Sequence, residues 1–224
     1  TVSGDANSAS PEGGHFWNYD VVVYPKNETG IPTLEKTVRE AKDDTGTHNG
    51  TNNITDGFEH NATASAGDVL EYQIISTLPT ITSNATSLTT YNFYDSISEG
   101  LTYNKALKDV KIEFFTDADC TDKVATWVQD DGKFTVTYSS DDRHMTIDIT
   151  ADGLAEINGA TENVNGKLYE GYSNYTARVT YTATINSNAS FVFGDNGNCN
   201  EVILTCRRTS GEYYDTLIDD AHVY

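Results

Sequence analysis

The chain has 224 residues, of which 34 are acidic and 14 are basic, giving a formal net charge of −20. Its length is sufficient for one large β domain or two small ones. The acidity argues against nucleic acid and anionic membrane surfaces as partners, and no apolar run approaches the roughly 20 residues that a membrane-spanning helix needs.

The N-terminal segment is predicted to be separate from the main domain. Phe16–Tyr24 has the composition of a strand, Pro25 ends it, and a turn-rich break follows. We therefore expect residues 1–30 to be the tail of a preceding domain or a leader, and residues 31–224 to form one domain.

The main domain reads as many short strands separated by turns rich in Gly, Asn and Asp. The first strand covers residues 32–39, and the polar stretch 40–66 is expected to be a surface loop or a partly disordered insertion. Later strands are predicted at Asp68–Ser76, Tyr91–Asp95, Val110–Phe115, Lys133–Tyr138, Met145–Ile149, Tyr175–Ile185 and Asn200–Cys206. Only Gly153–Asn158 has helical character. This pattern predicts an all-β, Ig-like antiparallel sandwich.

Three polar residues occupy strand positions that alternation assigns to the interior. The polar residues and their apolar neighbours on the same face are Lys36 with Leu34 and Val38, Asp95 with Tyr91 and Phe93, and Asn200 with Val202, Leu204 and Cys206. Burying an amine, a carboxyl group and a carboxamide is costly unless these groups meet. We therefore expect the three side chains to be in contact.

These three groups are the ingredients of an amide crosslink. Burial favours the neutral amine that can attack, and an apolar pocket favours the protonated acid that can polarise a carboxamide. Fixed proximity can supply roughly 7–11 kcal/mol of the barrier. We hypothesise that Lys36 attacks Asn200 once, that Asp95 shuttles the proton, and that ammonia leaves.

Two alternatives fit the same alternation. Lys36 and Asp95 could form an ordinary ion pair with Asn200 as a bystander. Asn198 lies on the same side of its strand as Asn200 but nearer the turn, so it is the second candidate for the attacked amide.

Four segments resemble the collagen-adhesin-type domain of major (shaft) pilins that sortases assemble in Gram-positive bacteria. They are Pro32–Val38, Ala66–Tyr72, Tyr94–Tyr103 and Gly197–Val202. In that family the lysine of the first segment is joined to the asparagine of the last, and the aspartate of the Tyr94 segment assists. The resemblance thus implies these roles for Lys36, Asn200 and Asp95. The chain departs from the family at Cys199, where a proline is usual, and in its long 40–66 stretch.

The segment Trp17–Asn27 resembles the pilin motif of the same family. The motif residues around Lys26 are Trp17, Val21, Val23, Tyr24, Pro25 and Asn27. In the family, the motif's lysine attacks the thioester that a pilus (class C) sortase forms with the sorting signal of another subunit. The resemblance therefore implies that Lys26 carries the amide that joins one subunit to the next.

The implied function is that of a structural subunit in a pilus, extracellular and attached to the cell wall. Its partners would be other pilin subunits and the sortase, and neither a cofactor nor enzymatic turnover is expected. One alternative is an adhesin module that binds host surface or matrix proteins, since collagen-binding adhesins contain the same domain type. Another is an Ig-like surface domain without a crosslink. The ending, residues 217–224, resembles a connector into a further domain.

The three cysteines permit one disulfide. Cys199 and Cys206 are an odd number of residues apart and would face opposite ways on a straight strand. The expected pair is therefore Cys120 with Cys206 or Cys199, and the absence of any bridge is an equal alternative. No metal site is expected, because the histidines lack metal spacing and acidic clusters such as Asp219 and Asp220 read as solvated loops.

Overall fold

The computed structural model describes five parts of the chain: residues 31–41, 57–159, 171–190, 197–209 and 214–224. These form twelve strands and one α-helix. The strands are β1 (Glu35–Glu40), β2 (Asn61–Ala62), β3 (Val69–Thr77), β4 (Leu88–Ile97), β5 (Leu101–Tyr103), β6 (Lys111–Phe115), β7 (Lys123–Val128), β8 (Phe134–Tyr138), β9 (His144–Ile149), β10 (Thr176–Ile185), β11 (Asn198–Arg208) and β12 (Tyr214–Val223). Helix α1 is Ala151–Asn158.

The strands form two six-stranded sheets. The first sheet has the order β1-β3-β10-β6-β7, with β5 also paired to β10, and all of its pairings are antiparallel. The second sheet has the order β2-β12-β11-β4-β9-β8, and it is antiparallel except where the short β2 runs parallel to β12. Most neighbours in space are not neighbours in sequence, as in Ig-like sandwiches.

The core lies between the two sheets and follows from strand alternation. In β3 and β11 every second residue is buried, because successive side chains of a strand point to opposite faces. Buried apolar side chains of the central strands include Leu70, Tyr72, Ile74, Phe93, Val179, Tyr181, Val202 and Leu204. The first sheet supplies one wall of the interior and the second sheet the other.

The predicted all-β sandwich is confirmed, and each predicted strand within the described residues has a counterpart. The helical character of Gly153–Asn158 is also confirmed by α1, whose N-cap Thr150 accepts a hydrogen bond from the backbone N–H of Gly153. No helix in the described part of the chain is long and apolar enough to cross a membrane.

Two segments differ from their prediction. The polar stretch 40–66 is not wholly a loop, because Glu59 pairs with Val38 and Asn61–Ala62 forms β2. The ending 217–224, predicted to be a connector, lies almost wholly in β12, which pairs with β11 over ten residues. Strands β5 and β7 have no counterpart among the strands predicted from the sequence. Strand β12 was not predicted because neither of its faces is uniformly apolar: Asp219 lies on the inner face with Ala221 and Val223, and the outer face mixes Ile218 with polar residues.

All three cysteines are unbridged, so the structure agrees with the alternative of no disulfide and not with a bridge from Cys120 to Cys206 or Cys199. Cys120 lies in the turn between β6 and β7 of the first sheet, whereas Cys199 and Cys206 lie on β11 of the second. Cys206 is buried in the core and Cys199 faces outward. The three thiols are thus distributed over different sheets and faces.

The predicted strand Phe16–Tyr24, the pilin motif and Lys26 lie outside the described residues.

Candidate functional site

Lys36, Asp95 and Asn200 meet in the interior, and each is fully buried. Lys36 lies on β1 of the first sheet, whereas Asp95 and Asn200 lie on β4 and β11, which are neighbours in the second sheet. In the β4–β11 ladder Asp95 is opposite Val202, so Asp95 and Asn200 are diagonal neighbours on one inward face. The site therefore spans the gap between the sheets.

The amine of Lys36 makes two hydrogen bonds, one across this gap to the second sheet and one within the first sheet. Its Nζ donates to Oδ2 of Asp95, forming a fully buried ion pair. It also donates to the hydroxyl of Tyr181 on β10, at 2.8 Å. Fixed groups thus surround the amine in a site from which water is excluded.

Tyr181 connects all three predicted site residues, and sequence reasoning did not single it out. Its hydroxyl accepts hydrogen bonds from Lys36 Nζ and from Asn200 Nδ2, each at 2.8 Å, and donates to Asp95 Oδ2 at 2.7 Å. These bonds use the one proton and both lone pairs of the hydroxyl. Tyr103 on β5 donates to the other oxygen of Asp95, Oδ1, at 2.7 Å.

One acceptor in this cluster is left without a partner. The carbonyl oxygen of Asn200, Oδ1, is buried and makes no hydrogen bond. The hydroxyl of Tyr72 lies close to the Asn200 amide but outside normal hydrogen-bond geometry. A buried polar atom without a partner costs about 1–3 kcal/mol. Asn200 is thus held by its nitrogen while its carbonyl oxygen is open to a new donor.

Burial dominates the electrostatics of the site. Desolvation lowers the pKa of Lys36 from its ordinary value of 10.5, although the Asp95 carboxylate opposes the shift. Burial, and after it the charge of Asp95, raises the pKa of Tyr181, Tyr103 and Tyr72. The amine is therefore driven toward its neutral form, and the phenols keep the protons that they donate.

Asp219 fixes β1 from the opposite sheet. The backbone N–H of Lys36 donates to Oδ2 of Asp219 on β12, at 2.6 Å. The sequence reading of Asp219 as part of a solvated loop is therefore wrong. This bond joins the edge strand of the first sheet to the second sheet beside the buried cluster.

Asn198, the second candidate acceptor, is buried but is engaged elsewhere. Its Nδ2 donates to the backbone oxygens of Ser190 and Val223, at 2.9 and 3.1 Å, and its Oδ1 accepts from the backbone N–H of Ser190 at 3.0 Å. Its amide thus holds a backbone segment in place. The structure brings Asn200, and not Asn198, into hydrogen-bond contact with the Tyr181 hydroxyl that also contacts Lys36.

The fold is shared with Gram-positive surface proteins, including major pilins. One similar structure is the 35 kDa C-terminal fragment of the Streptococcus agalactiae major pilin GBS80, with a TM-score of 0.52 and 16% identity over 86% of this chain and 56% of that chain. Another is the T6 backbone pilin of serotype M6 Streptococcus pyogenes, with a TM-score of 0.50 and 18% identity over 86% of this chain and 36% of that chain. A third is the C-terminal domain of the Streptococcus agalactiae AgI/II polypeptide BspA, with a TM-score of 0.52 and 16% identity over 86% of this chain and 50% of that chain. The chain therefore spans between about a third and about half of those chains. No protein-family model and no curated protein matches the sequence. The pilin-type fold expected from the sequence is confirmed.

Replacing Tyr181 with Phe is expected to lower the free energy of unfolding by several kcal/mol. The change leaves Lys36, Asp95 and Asn200 each without one partner, at about 1–3 kcal/mol for each buried group. Tyr91→Phe is the matched control, because Tyr91 is also fully buried and donates only to the hydroxyl of Ser76. Chemical denaturation of both variants measures the difference, and equal losses would contradict the central position of Tyr181.

Proposed function

We propose that this chain is a shaft subunit of a covalently assembled pilus on a Gram-positive cell surface, and that a Lys36–Asn200 amide stabilises it internally. The observation that carries the proposal is the buried cluster in which the Lys36 amine, the Asp95 carboxyl group and the Asn200 amide share Tyr181. The fold shared with major pilins supports it.

The first step is transfer of a proton from Lys36 Nζ to Asp95 Oδ2 along their hydrogen bond. In a dry site a neutral amine and a neutral acid avoid the desolvation cost of two charges. The lowered pKa of Lys36 favours this transfer. Tyr103 holds the other carboxyl oxygen in place meanwhile.

In the second step protonated Asp95 donates a hydrogen bond to Asn200 Oδ1, the buried oxygen without a partner. This bond draws electrons from Cγ of Asn200, and the lone pair of Lys36 Nζ attacks that carbon. A new C–N bond forms as the bond from Cγ to Nδ2 breaks. The proton lost by Nζ reaches Nδ2, which leaves as ammonia, so that an amine and a primary amide become one secondary amide and ammonia.

Tyr181 contacts both nitrogen atoms that change partners. Its hydroxyl lies 2.8 Å from the attacking nitrogen of Lys36 and 2.8 Å from the departing nitrogen of Asn200. A single fixed group therefore orients both, which reduces the entropy that the reaction must lose. In the proposed reaction Tyr181 positions the reactants, and Asp95 moves the proton.

The crosslink would join β1 of the first sheet to β11 of the second. By analogy with a disulfide that closes a very long loop, it would stabilise the folded chain by about 5 kcal/mol. An amide is not reduced as a disulfide is. A pilus shaft is pulled along its length, so a permanent bond between the two sheets suits that function.

Assembly of the shaft would use Lys26. The pilin motif at Trp17–Asn27 supports this part of the proposal. A pilus sortase would present the C-terminal thioester of another subunit, and the Lys26 amine would displace the enzyme's thiol to form an intermolecular amide. This chemistry needs an accessible lysine, the opposite of the sealed setting of Lys36.

The intact protein is expected to be lighter than its sequence mass by one ammonia, as measured by mass spectrometry under denaturing conditions. Asp95→Ala and Asn200→Ala should each retain the full mass expected for their own sequence. Asn198→Ala is the matched control and should still lose one ammonia, because Asn198 does not contact the cluster. A wild-type mass equal to the sequence mass would exclude the crosslink.

Lys26→Ala is expected to abolish attachment of a sorting-signal peptide by a pilus sortase. Lys105→Ala is the control, since Lys105 is a partly exposed lysine paired with Asp142 and lies outside the motif. Gel shift and peptide mapping measure the product. Undiminished product from Lys26→Ala would exclude Lys26 as the linkage site.

Binding to host matrix proteins that is independent of Lys26 would favour the adhesin alternative.

A further inference from the structure

The outer face of the second sheet carries a group of metal-ligating side chains that the crosslink does not use. Cys199 on β11 is directly opposite His222 on β12, and Asp220 lies two residues before His222 on the same face. One ligand atom from each residue lies within 4.8 Å of the other two. The Nε2 atom of His222 is 3.3 Å from Oδ1 of Asp220.

We propose that Cys199, Asp220 and His222 bind a divalent transition-metal ion of the zinc class. A thiolate, an imidazole and a carboxylate are the ligands that Zn²⁺ accepts in proteins, whereas Ca²⁺ and Mg²⁺ take oxygen ligands. At tetrahedral angles, atoms that share one zinc at about 2.0–2.3 Å lie about 3.3–3.8 Å from one another. The three ligand atoms, all within 4.8 Å of one another, would therefore have to move closer by about 1 Å or less.

The backbone holds these three residues in register. Cys199 and His222 are near one end of the ten-residue β11–β12 ladder, so their Cα positions are fixed by regular pairing. All three side chains are partly buried, and the ring of His222 stacks on that of Tyr224 with centroids 6.4 Å apart. Such restriction lowers the side-chain entropy lost when a metal binds.

Charge on this face also favours a cation. Glu201 lies directly opposite Asp220, on the same face as Cys199, and the whole chain has a formal charge of −20. On binding, the Cys199 thiol releases its proton to water and the thiolate becomes a ligand. Three protein ligands leave the fourth tetrahedral position for a water molecule. This site lies on the face of β11 opposite to Asn200, so it does not depend on the crosslink.

The test is titration of the reduced, metal-free protein with Co²⁺, followed by displacement with Zn²⁺. We expect one ion per chain, with absorption from thiolate-to-cobalt charge transfer and tetrahedral d–d bands. Cys199→Ser and His222→Gln should weaken Zn²⁺ binding at least about 100-fold, beyond the 10–100-fold that outer partners of a metal site contribute. The matched controls Cys120→Ser and His144→Gln should bind as the wild type does.

A measurement on the wild-type protein avoids any effect of the variants on folding. Zn²⁺ should protect Cys199 from alkylation and leave Cys120 reactive, as read by peptide mass spectrometry. The proposal would be overturned by any of three results. They are the absence of one-to-one binding at micromolar Zn²⁺, cobalt–thiolate absorption that persists in Cys199→Ser, and an alkylation rate of Cys199 that Zn²⁺ does not change. An Asn200→Ala variant that lacks the crosslink should still bind the metal.

Discussion

The structure depends on the contact between the Lys36 amine and the Asp95 carboxyl group across a sealed gap between two sheets. A buried ion pair recovers its desolvation cost only when its geometry is excellent and its remaining polar atoms are satisfied. Tyr181 and Tyr103 satisfy Asp95, yet Oδ1 of Asn200 stays without a partner. Amide formation would remove the charges and turn a costly arrangement into a permanent link, which is why an uncharged product suits this interior.

Alternation in the sequence was sufficient to place the three polar groups in the interior, because a strand has a side-chain period of two. Lys36, Asp95 and Asn200 are polar residues in otherwise apolar series, and the structure buries all three. Tyr181 was visible only as one inward residue among several. The contacts of its hydroxyl with Asp95 and Asn200 depend on how the first sheet packs over the second, and no local sequence pattern contains the distance between the sheets.

The sequence was less informative where partners come from different strands. Asp219 and Asp220 are adjacent acidic residues, but they have different neighbours because they lie on opposite faces of β12. Asp219 points inward to the Lys36 backbone, and Asp220 points outward and lies near Cys199. Metal motifs recognised from sequence rely on short spacings along one segment. The Cys199–His222 pair has no such spacing, because the β11–β12 ladder creates it.

The proposed amide and the proposed metal site would lie along the same route by which a pulling force crosses the domain. If force is applied at the two ends of the domain, it would enter through β1, cross the Lys36–Asn200 amide to β11, and leave through β12. The amide ends on β11 and would therefore hold none of the ladder's ten pairs. The pairs Cys199–His222 and Asn198–Val223 are the last two of β12. Peeling of β12 would begin at those pairs, one of which is Cys199–His222. A metal bound there would resist separation at the point where the covalent bond gives no protection.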